Sequence, residues 1–407
     1  MRTTSWTVPL IILFAIVGFN GGYVLAQSPF APVTLFGAPT TTPAAAQETF
    51  EPFWETWDLV HRRFFDQEVV DDQLLMEGAI EGMLAVLEDQ NTRYLPPQDE
   101  AAAREQMSGE FQGIGAEIVL EEDGAIVVVS PIDGSPAEAA GLQPGDILRK
   151  SDGVELTGMD ASEAAQLVRG PAGTAVLLTI ERDGETFDVE IIRDVIKLAS
   201  VRGEIIEDNL AYIRLSRFAE STTEELEATL QELVAQNPAG IILDVRRNPG
   251  GLLQTSVDVA DQFLPAGTVV VERFGDGRER VFEATDEGLA EDIPLVVLID
   301  EGSASASEVL AGAVRDYDRG VLIGQTSFGK GTAQTWHPLS NGGGVRITIA
   351  RWLTPTDEWV HETGITPDFF IPLPELTEEG DFVDTQLEAA RDFLLGETVI
   401  SVPPSDG

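Results

Sequence analysis

Pro294-Leu-Val-Val-Leu-Ile299 runs directly into Asp300-Glu-Gly-Ser-Ala-Ser-Ala-Ser-Glu308, and Val309, Leu310, Ala313 and Val314 follow at helical spacing. A six-residue apolar run bounded by a turn reads as a buried strand, so the stretch is a strand-to-helix turn. Ser303, Ser305 and Ser307 stand in it with only Ala between them and Gly302 just before. Small residues let the backbone turn tightly and leave a hydroxyl exposed beside the positive end of a helix, where a nucleophile belongs.

A serine nucleophile needs a base. The three histidines, His61, His337 and His361, lie in no motif that pairs them with this turn. Lys330 is the other candidate, in Ser327-Phe-Gly-Lys-Gly331, after a second apolar run, Val321-Leu-Ile-Gly324. An exposed lysine has a pKa of about 10.4, so roughly one in a few thousand is neutral at pH 7, and burial must lower that value. The flanking glycines let the backbone carry Lys330 inward.

These words, with Asp244-Val-Arg-Arg-Asn-Pro-Gly-Gly-Leu252, resemble the C-terminal processing peptidases, or tail-specific proteases, which use a Ser/Lys dyad. The resemblance extends over nearly all of the chain after its N-terminal segment. It implies a mixed α/β protease core of the ClpP/crotonase-like type, with an inserted PDZ domain and N-terminal helices. It maps the nucleophile to Ser305, the base to Lys330 and a dyad-orienting amide to Gln334. The oxyanion hole maps to Ala306 with Gly250 or Gly251, between which the sequence does not choose. Ser303 and Ser307 are read as capping and turn residues, and Asp244 as a structural acceptor. Gln334 follows Lys330 by four positions, a spacing that shares one face in a strand. An amide oxygen there orients an ammonium without the negative charge that would raise its pKa. The family carries Pro-Tyr or Pro-His after the Asp of its Leu-x-Asp motif, whereas Asp89 is followed by Gln90-Asn91, a departure at that turn.

Composition bounds the rest. With 407 residues and 43% hydrophobic content, two or three domains are expected. Against 70 acidic residues stand 25 basic ones, a net charge of −45 that repels nucleic acid and anionic membrane surfaces. The acids are scattered, as solubility or adaptation to salt requires. Cysteine is absent, which excludes disulfides, thiolate metal sites and a catalytic cysteine. No metal-ligand constellation or phosphate loop stands out, so no cofactor is implied.

Residues 1–26 combine Arg2, an apolar run from Val8 to Phe19 and the small-residue exit Val24-Leu-Ala26, which reads as a signal peptide or a retained membrane anchor. Either places the bulk of the protein outside the cytoplasm, periplasmic, envelope-bound or secreted. Residues 27–47, with four prolines, read as a linker. Residues 48–104 are expected to be helical, with one apolar stripe through Phe53, Trp54, Trp57, Leu59, Val60 and Phe64 and another through Leu74, Leu75, Ala79, Met83, Val86 and Leu87. Such stripes are core or subunit contacts, so a homo-oligomer is a candidate.

Residues 105–196 hold Phe111-Gln-Gly-Ile-Gly-Ala116, the run Ala125–Val129 and Ser135-Pro-Ala-Glu-Ala-Ala-Gly-Leu142 with Pro144-Gly-Asp146. Short strands and a Pro-started helix fit a β-rich module that looks like a PDZ domain. Such a module adds a peptide to an open strand edge and receives its terminal carboxylate on backbone amides, here those of Gly113, Ile114 and Gly115. Arg169, in Val168-Arg-Gly-Pro171, matches the family arginine that contacts the protease body when a tail is bound. The protease core is expected over 197–372 and a C-terminal helical tail over 373–407. The resemblance thus implies an extracytoplasmic endopeptidase acting on proteins or peptides with exposed C-termini. The alternatives are a catalytically silent ligand-binding relative, as in the retinoid-binding proteins of the same fold, and a PDZ scaffold.

Overall fold

The computed structural model describes residues 44–121, 123–373 and 383–402. The expected signal peptide or anchor lies outside them, and no helix among the described residues is long and apolar enough to cross a membrane. Among the described residues, 44–76 belong to one compact unit and those from 77 onward to a second.

In the first unit the helix Ala44–Arg63 begins inside the segment read as linker. Phe53 packs edge-on against Trp54 with ring centroids 5.0 Å apart, and Trp57 stacks on His61. The His61 ring bridges Trp57 O at 2.8 Å and Asp72 Oδ1 at 2.6 Å. Among the described residues nothing fully covers this stripe: Trp54 is 60% exposed, and Leu59 and Phe64 are exposed with it, as is Leu74 of the second stripe. A helix buries its apolar face only where another element covers it.

The second unit is built around a six-stranded sheet. Val201–Ile206 runs antiparallel to Leu210–Leu215, and then Gly240–Asp244, Leu295–Ile299, Val321–Gly324 and Phe369–Phe370 add in parallel, each beside the last. Parallel strands covered on both faces read as unbroken apolar runs, and the two faces here have different cores. Ile241, Leu243, Val297 and Ile299 join one that includes Leu226 and Leu230 of the helix Thr222–Val234, Val257 and Val259 of Leu253–Asp261, and Leu310 and Val314 of Ala306–Asp316. Ile242, Val296, Leu298 and Ile323 face the other, closed by Ala389 and Ala390 of the helix Thr385–Leu394. The C-terminal helix is therefore a layer of the second unit's core and not a separate tail. Arg246 fixes its start, donating to Asp384 Oδ1 and Oδ2 at 2.8 Å each and to Gln386 at 2.9 Å.

A second sheet, ordered Arg93–Leu95, Gly344–Leu353, Gly267–Phe274 and Glu279–Ala284, with Thr332–Pro338 also paired to Gly344–Leu353, packs on the first core through Val269, Val270, Phe282 and Trp352. Arg93–Leu95 lies inside the region expected to be purely helical, yet it is a strand of the protease body, with Arg93 opposite Arg346. Between residues 110 and 197 the chain forms the β-rich module. Glu110–Gly113 pairs with Asp194–Lys197 at its neck, and the strands Ala116–Leu120, Ile126–Pro131, Ile147–Ser151, Ala175–Arg182 and Glu185–Ile192 enclose a core of Ile126, Val128, Leu148, Leu178 and Ile180. The helix Pro97–Ser108 crosses the expected boundary at residue 105 and leads into the neck.

Candidate active site

Three turns meet at the carboxyl ends of the neighbouring strands Gly240–Asp244, Leu295–Ile299 and Val321–Gly324, the edge at which open α/β sheets present their sites. They hold the Gly250-Gly251 turn, Ser305 and Lys330.

Ser305 has φ +55° and ψ −111°, a region a non-glycine residue occupies only when its surroundings compel it, at a cost of about 1–3 kcal/mol. It stands at the N-cap of the helix Ala306–Asp316, partly exposed, in a capping box with Glu308. The rival serines are buried and engaged. Ser303 Oγ donates to Val245 O at 2.8 Å and accepts from Asp300 N, and Ser307 Oγ donates to Asn248 O at 2.9 Å. Both hold the turn, as their turn-chemistry reading expects, while the cap position falls to Ser305.

Glu308 ties the serine turn to the lysine loop. Its fully buried carboxylate accepts from Ser305 N at 2.7 Å, Ser327 Oγ at 2.7 Å, Gly329 N at 2.6 Å and Lys330 N at 2.9 Å. In sequence it was only the last letter of the serine word. A carboxylate accepts at both oxygens and donates at neither, so four converging donors select it over an amide.

Lys330 sits between Gly329 and Gly331, and side chains at either would collide with the segment Trp359–Gly364. A methyl at Gly331 would lie 2.7 Å from Trp359 Nε1 and 2.8 Å from His361 N. The indoles pin the loop, Trp352 donating to Lys330 O and Trp359 to Gly331 O, both at 2.8 Å. Burial pushes the Lys330 ammonium down to about 8, Arg346 and Arg93 push the same way, and Glu308 and Asp89 oppose. About one in ten is then neutral at pH 7, a fraction able to accept a proton.

Gln334 lies in the strand Thr332–Pro338, but Lys330 precedes that strand, so shared strand alternation does not join them. The Gln334 amide nitrogen donates to Thr332 Oγ1 at 2.8 Å and Thr348 Oγ1 at 3.3 Å, leaving its oxygen to accept. The departing turn at Asp89 borders the same cluster. Asp89 accepts from Asn91 N and Thr92 Oγ1, and Asn91 Nδ2 donates to Thr332 Oγ1 at 3.3 Å. Burial opposes its ionisation, yet hydrogen bonds from Thr348, Thr92 and Asn91 hold the Asp89 carboxyl below its ordinary pKa. Sequence reasoning missed Arg93, Arg346 and Thr348, because the strands that carry them are some 250 positions apart and pair only in the fold.

The glycine turn packs directly on the serine turn. A methyl at Gly250 would lie 2.6 Å from Ala304 O and 2.9 Å from Ala306 N. The Gly250 amide is already given to Asn248 Oδ1 at 2.9 Å. The amides of Gly251 and Ala306 meet no acceptor among the described residues. Asp244 accepts from Tyr212 Oη, Arg214 and Arg246, each at 2.7 Å, and works as a brace.

In the β-rich module, Ala116–Leu120 is an outer strand of its sheet, next to the helix Ala161–Val168. Immediately before it, Ile114 O accepts from Ala137 N at 2.8 Å, and Gly115 O accepts from Ile132 N and Ser135 Oγ at 2.9 Å. With the carbonyls drawn inward, the Ile114 and Gly115 amides meet no acceptor among the described residues. Gly113 belongs to the neck strand, beside the Arg169 side chain. Arg169 donates to Glu105 Oε2 at 2.7 Å and lies over the Phe111 ring at 4.9 Å, so its contact is with the helix Pro97–Ser108.

The chain thus combines a strained serine turn, a half-buried lysine held beside it by one carboxylate, and a separate β-rich module. Residues 209–371 match the model of peptidase family S41, residues 127–182 that of a PDZ domain, and residues 25–98 that of the activating protease CtpB N-terminal domain. The chain is 41% identical over 319 residues to a carboxy-terminal-processing protease of Bartonella bacilliformis, covering 75% of this chain and 72% of that one. It is 37% identical over 387 residues to a carboxyl-terminal-processing protease of Synechocystis, covering 88% and 90%. Carboxy-terminal processing protease CtpA of Bacillus subtilis is also 37% identical, over 334 residues, covering 82% and 70%. A solved Bacteroides fragilis structure, described as an S41 protease, shares the fold at TM-score 0.53 and 16% identity, covering 89% and 100%. The chain belongs to peptidase family S41 and is a PDZ-containing serine protease of the carboxy-terminal processing type.

Proposed function

We propose that the protein is an extracytoplasmic endopeptidase that captures exposed C-terminal tails on its PDZ domain and cleaves them by a Ser305/Lys330 acyl-enzyme mechanism. The observation that carries this reading is the buried Glu308 carboxylate, which holds the strained Ser305 turn and the Lys330 loop in one network. Lys330, neutral in a usable fraction, takes the Ser305 proton as Oγ attacks the scissile carbonyl. The carbonyl oxygen becomes an oxyanion received by the Gly251 and Ala306 amides. Lys330 returns the proton to the leaving amine, water resolves the acyl-enzyme, and the Gln334 amide oxygen orients the lysine.

On the PDZ domain the tail extends the Ala116–Leu120 edge, with its carboxylate on the Ile114 and Gly115 amides beside Gly113. Arg169, next to that loop, is the residue that reports occupancy to the body. The apolar run of residues 1–26 supports delivery across a membrane, as signal or anchor. The exposed stripe of Trp54, Leu59 and Phe64 supports association with a second copy.

The test is hydrolysis of one peptide with a free or an amidated C-terminus, with Ser305→Ala as the blank. Each charge-assisted hydrogen bond contributes about 1.5–3 kcal/mol, so amidation is expected to lower kcat/KM roughly tenfold or more. Equal cleavage of the two peptides would remove tail capture from the mechanism. Cleavage surviving in Ser305→Ala would remove the dyad.

A further inference from the structure

The chain carries nearly three acids for each base, yet one cleft beside the active site is lined by arginines. It encloses about 460 Å³ and is walled by Arg93, Tyr94, Phe111, Arg169, Leu198 and Arg217. Its lining residues neighbour both functional sites. Phe111 and Arg169 adjoin Gly113 of the PDZ neck. Arg93 acts electrostatically on Lys330, and Arg217 immediately precedes Phe218, whose N–H donates to Gly250 O at 3.0 Å and whose carbonyl accepts from Leu252 N at 2.8 Å. A tail seated on the PDZ loop with its upstream residues at Ser305 has this cleft between its two anchor points.

The charges in the cleft are unevenly matched. Arg169 is paired with Glu105, but Arg93 and Arg217 form no ion pair among the described residues, and Asp99 is the one other acid in the lining. Arg217 donates to Leu198 O at 2.8 Å, while its buried Nε has no partner. Arg346, opposite Arg93 across the strand pair, is likewise without an ion pair among the described residues. Like charges directly opposite in a sheet oppose folding, and a guanidinium nitrogen without an acceptor carries its desolvation cost uncompensated. The first cost falls if an anion arrives beside the exposed Arg93 with the substrate.

We infer that this arginine-lined cleft selects substrates by charge: the segment between the scissile bond and the captured C-terminus is preferred when it carries Asp or Glu. The carboxylate pairs with Arg93, whose guanidinium can bind it in bidentate fashion, and with the remaining terminal nitrogen of Arg217. The inference rests on the tail-capture and dyad reading above, and it adds the chemical class of the tail. The overall charge of −45 repels an acidic substrate at long range, so the selectivity is short-range and belongs to the cleft.

The experiment uses the full chain and three peptides with the same free C-terminus and scissile sequence, carrying Glu, Gln or Lys at one spacer position stepped along the segment. Expected is a kcat/KM order of Glu over Gln over Lys, with Glu and Lys differing by roughly tenfold at low salt and less at high salt. Arg93→Gln and Arg217→Gln are expected to collapse the Glu-to-Gln ratio, and Asp99→Asn to increase it. The ratio is taken within each variant, so partial loss of folded protein cancels. Equal rates for all three peptides in the wild type, while amidation still slows cleavage, would overturn the charge selection and leave tail capture standing. A Glu preference unchanged in all three variants would overturn its assignment to this cleft. If amidation has no effect or Ser305→Ala still cleaves, it is the underlying reading that fails.

Discussion

Lys330→Met is expected to abolish peptide hydrolysis, by roughly ten-thousandfold or more, and at the same time to stabilise the fold at neutral pH. In the proposed mechanism the substitution leaves Ser305 with no group to take its proton, and loss of one member of a nucleophile-base unit costs about as much as loss of the unit. Ser305→Ala should be equally inactive. In the wild type, kcat/KM should rise about tenfold per pH unit up to the Lys330 pKa of about 8 and level off above it, since only the neutral amine is the base.

The stability effect has the opposite sense. The folded pKa is depressed below the unfolded value of about 10.4, so between pH 8 and 10.4 the unfolded chain binds a proton that the folded chain does not. This group's contribution to stability therefore rises with pH across that window, and below pH 8 its charged form opposes folding in full. Methionine removes the charge and keeps the volume, so the variant should melt above the wild type at pH 7, with the gain shrinking toward pH 10. Thermal melts at the two pH values, beside the hydrolysis assay, check both signs. A pH-rate profile flat from pH 6 to 10 would remove Lys330 from the role of base.

Much of the protease body was legible because its strands are buried on both faces. Leu295–Ile299 and Gly240–Asp244 read as continuous apolar runs since each alternate residue has its own core to enter. The helix Thr222–Val234 was equally plain, with Leu226, Leu230 and Leu233 on its inner face. What a single stretch could not reveal was which hydroxyl in Ser303–Ser307 escapes burial, because that depends on Val245 and Asn248, which are supplied by a distant strand and turn. The electrostatics around Lys330 were hidden for the same reason. The resemblance maps Gln334, and the strand spacing that also favours it is one the structure does not use, since Lys330 lies ahead of the strand, though the amide oxygen is left to accept. The choice between Gly250 and Gly251 turns on one side-chain acceptor, Asn248 Oδ1, which sequence spacing cannot display. At the N-terminus periodicity identified the helix, but a stripe alone does not say whether its cover comes from the same chain.

Glu308→Gln is expected to lower kcat by a hundredfold or more and to destabilise the second unit by about 3–6 kcal/mol. The substitution keeps the shape but turns one acceptor into a donor, so two of the four donors converging from Ser305, Ser327, Gly329 and Lys330 lose their partner in a fully buried place. Each charge-assisted bond contributes about 1.5–3 kcal/mol, and a buried donor left unmet costs its desolvation as well. The strained Ser305 backbone is held by this network, so relaxation of the turn toward ordinary φ and ψ moves Oγ away from the lysine. Structural weakening alone would lower the amount of folded enzyme and leave its pH profile untouched. Loss of the Glu308 charge, however, removes an interaction that raises the Lys330 pKa, so the rising limb of the residual activity should move to lower pH. Residual rates measured per folded molecule, across pH 6 to 10, separate the two. A limb that stays in place with full kcat would make Glu308 a packing residue, and a limb displaced downward with kcat reduced identifies the carboxylate that positions both halves of the dyad.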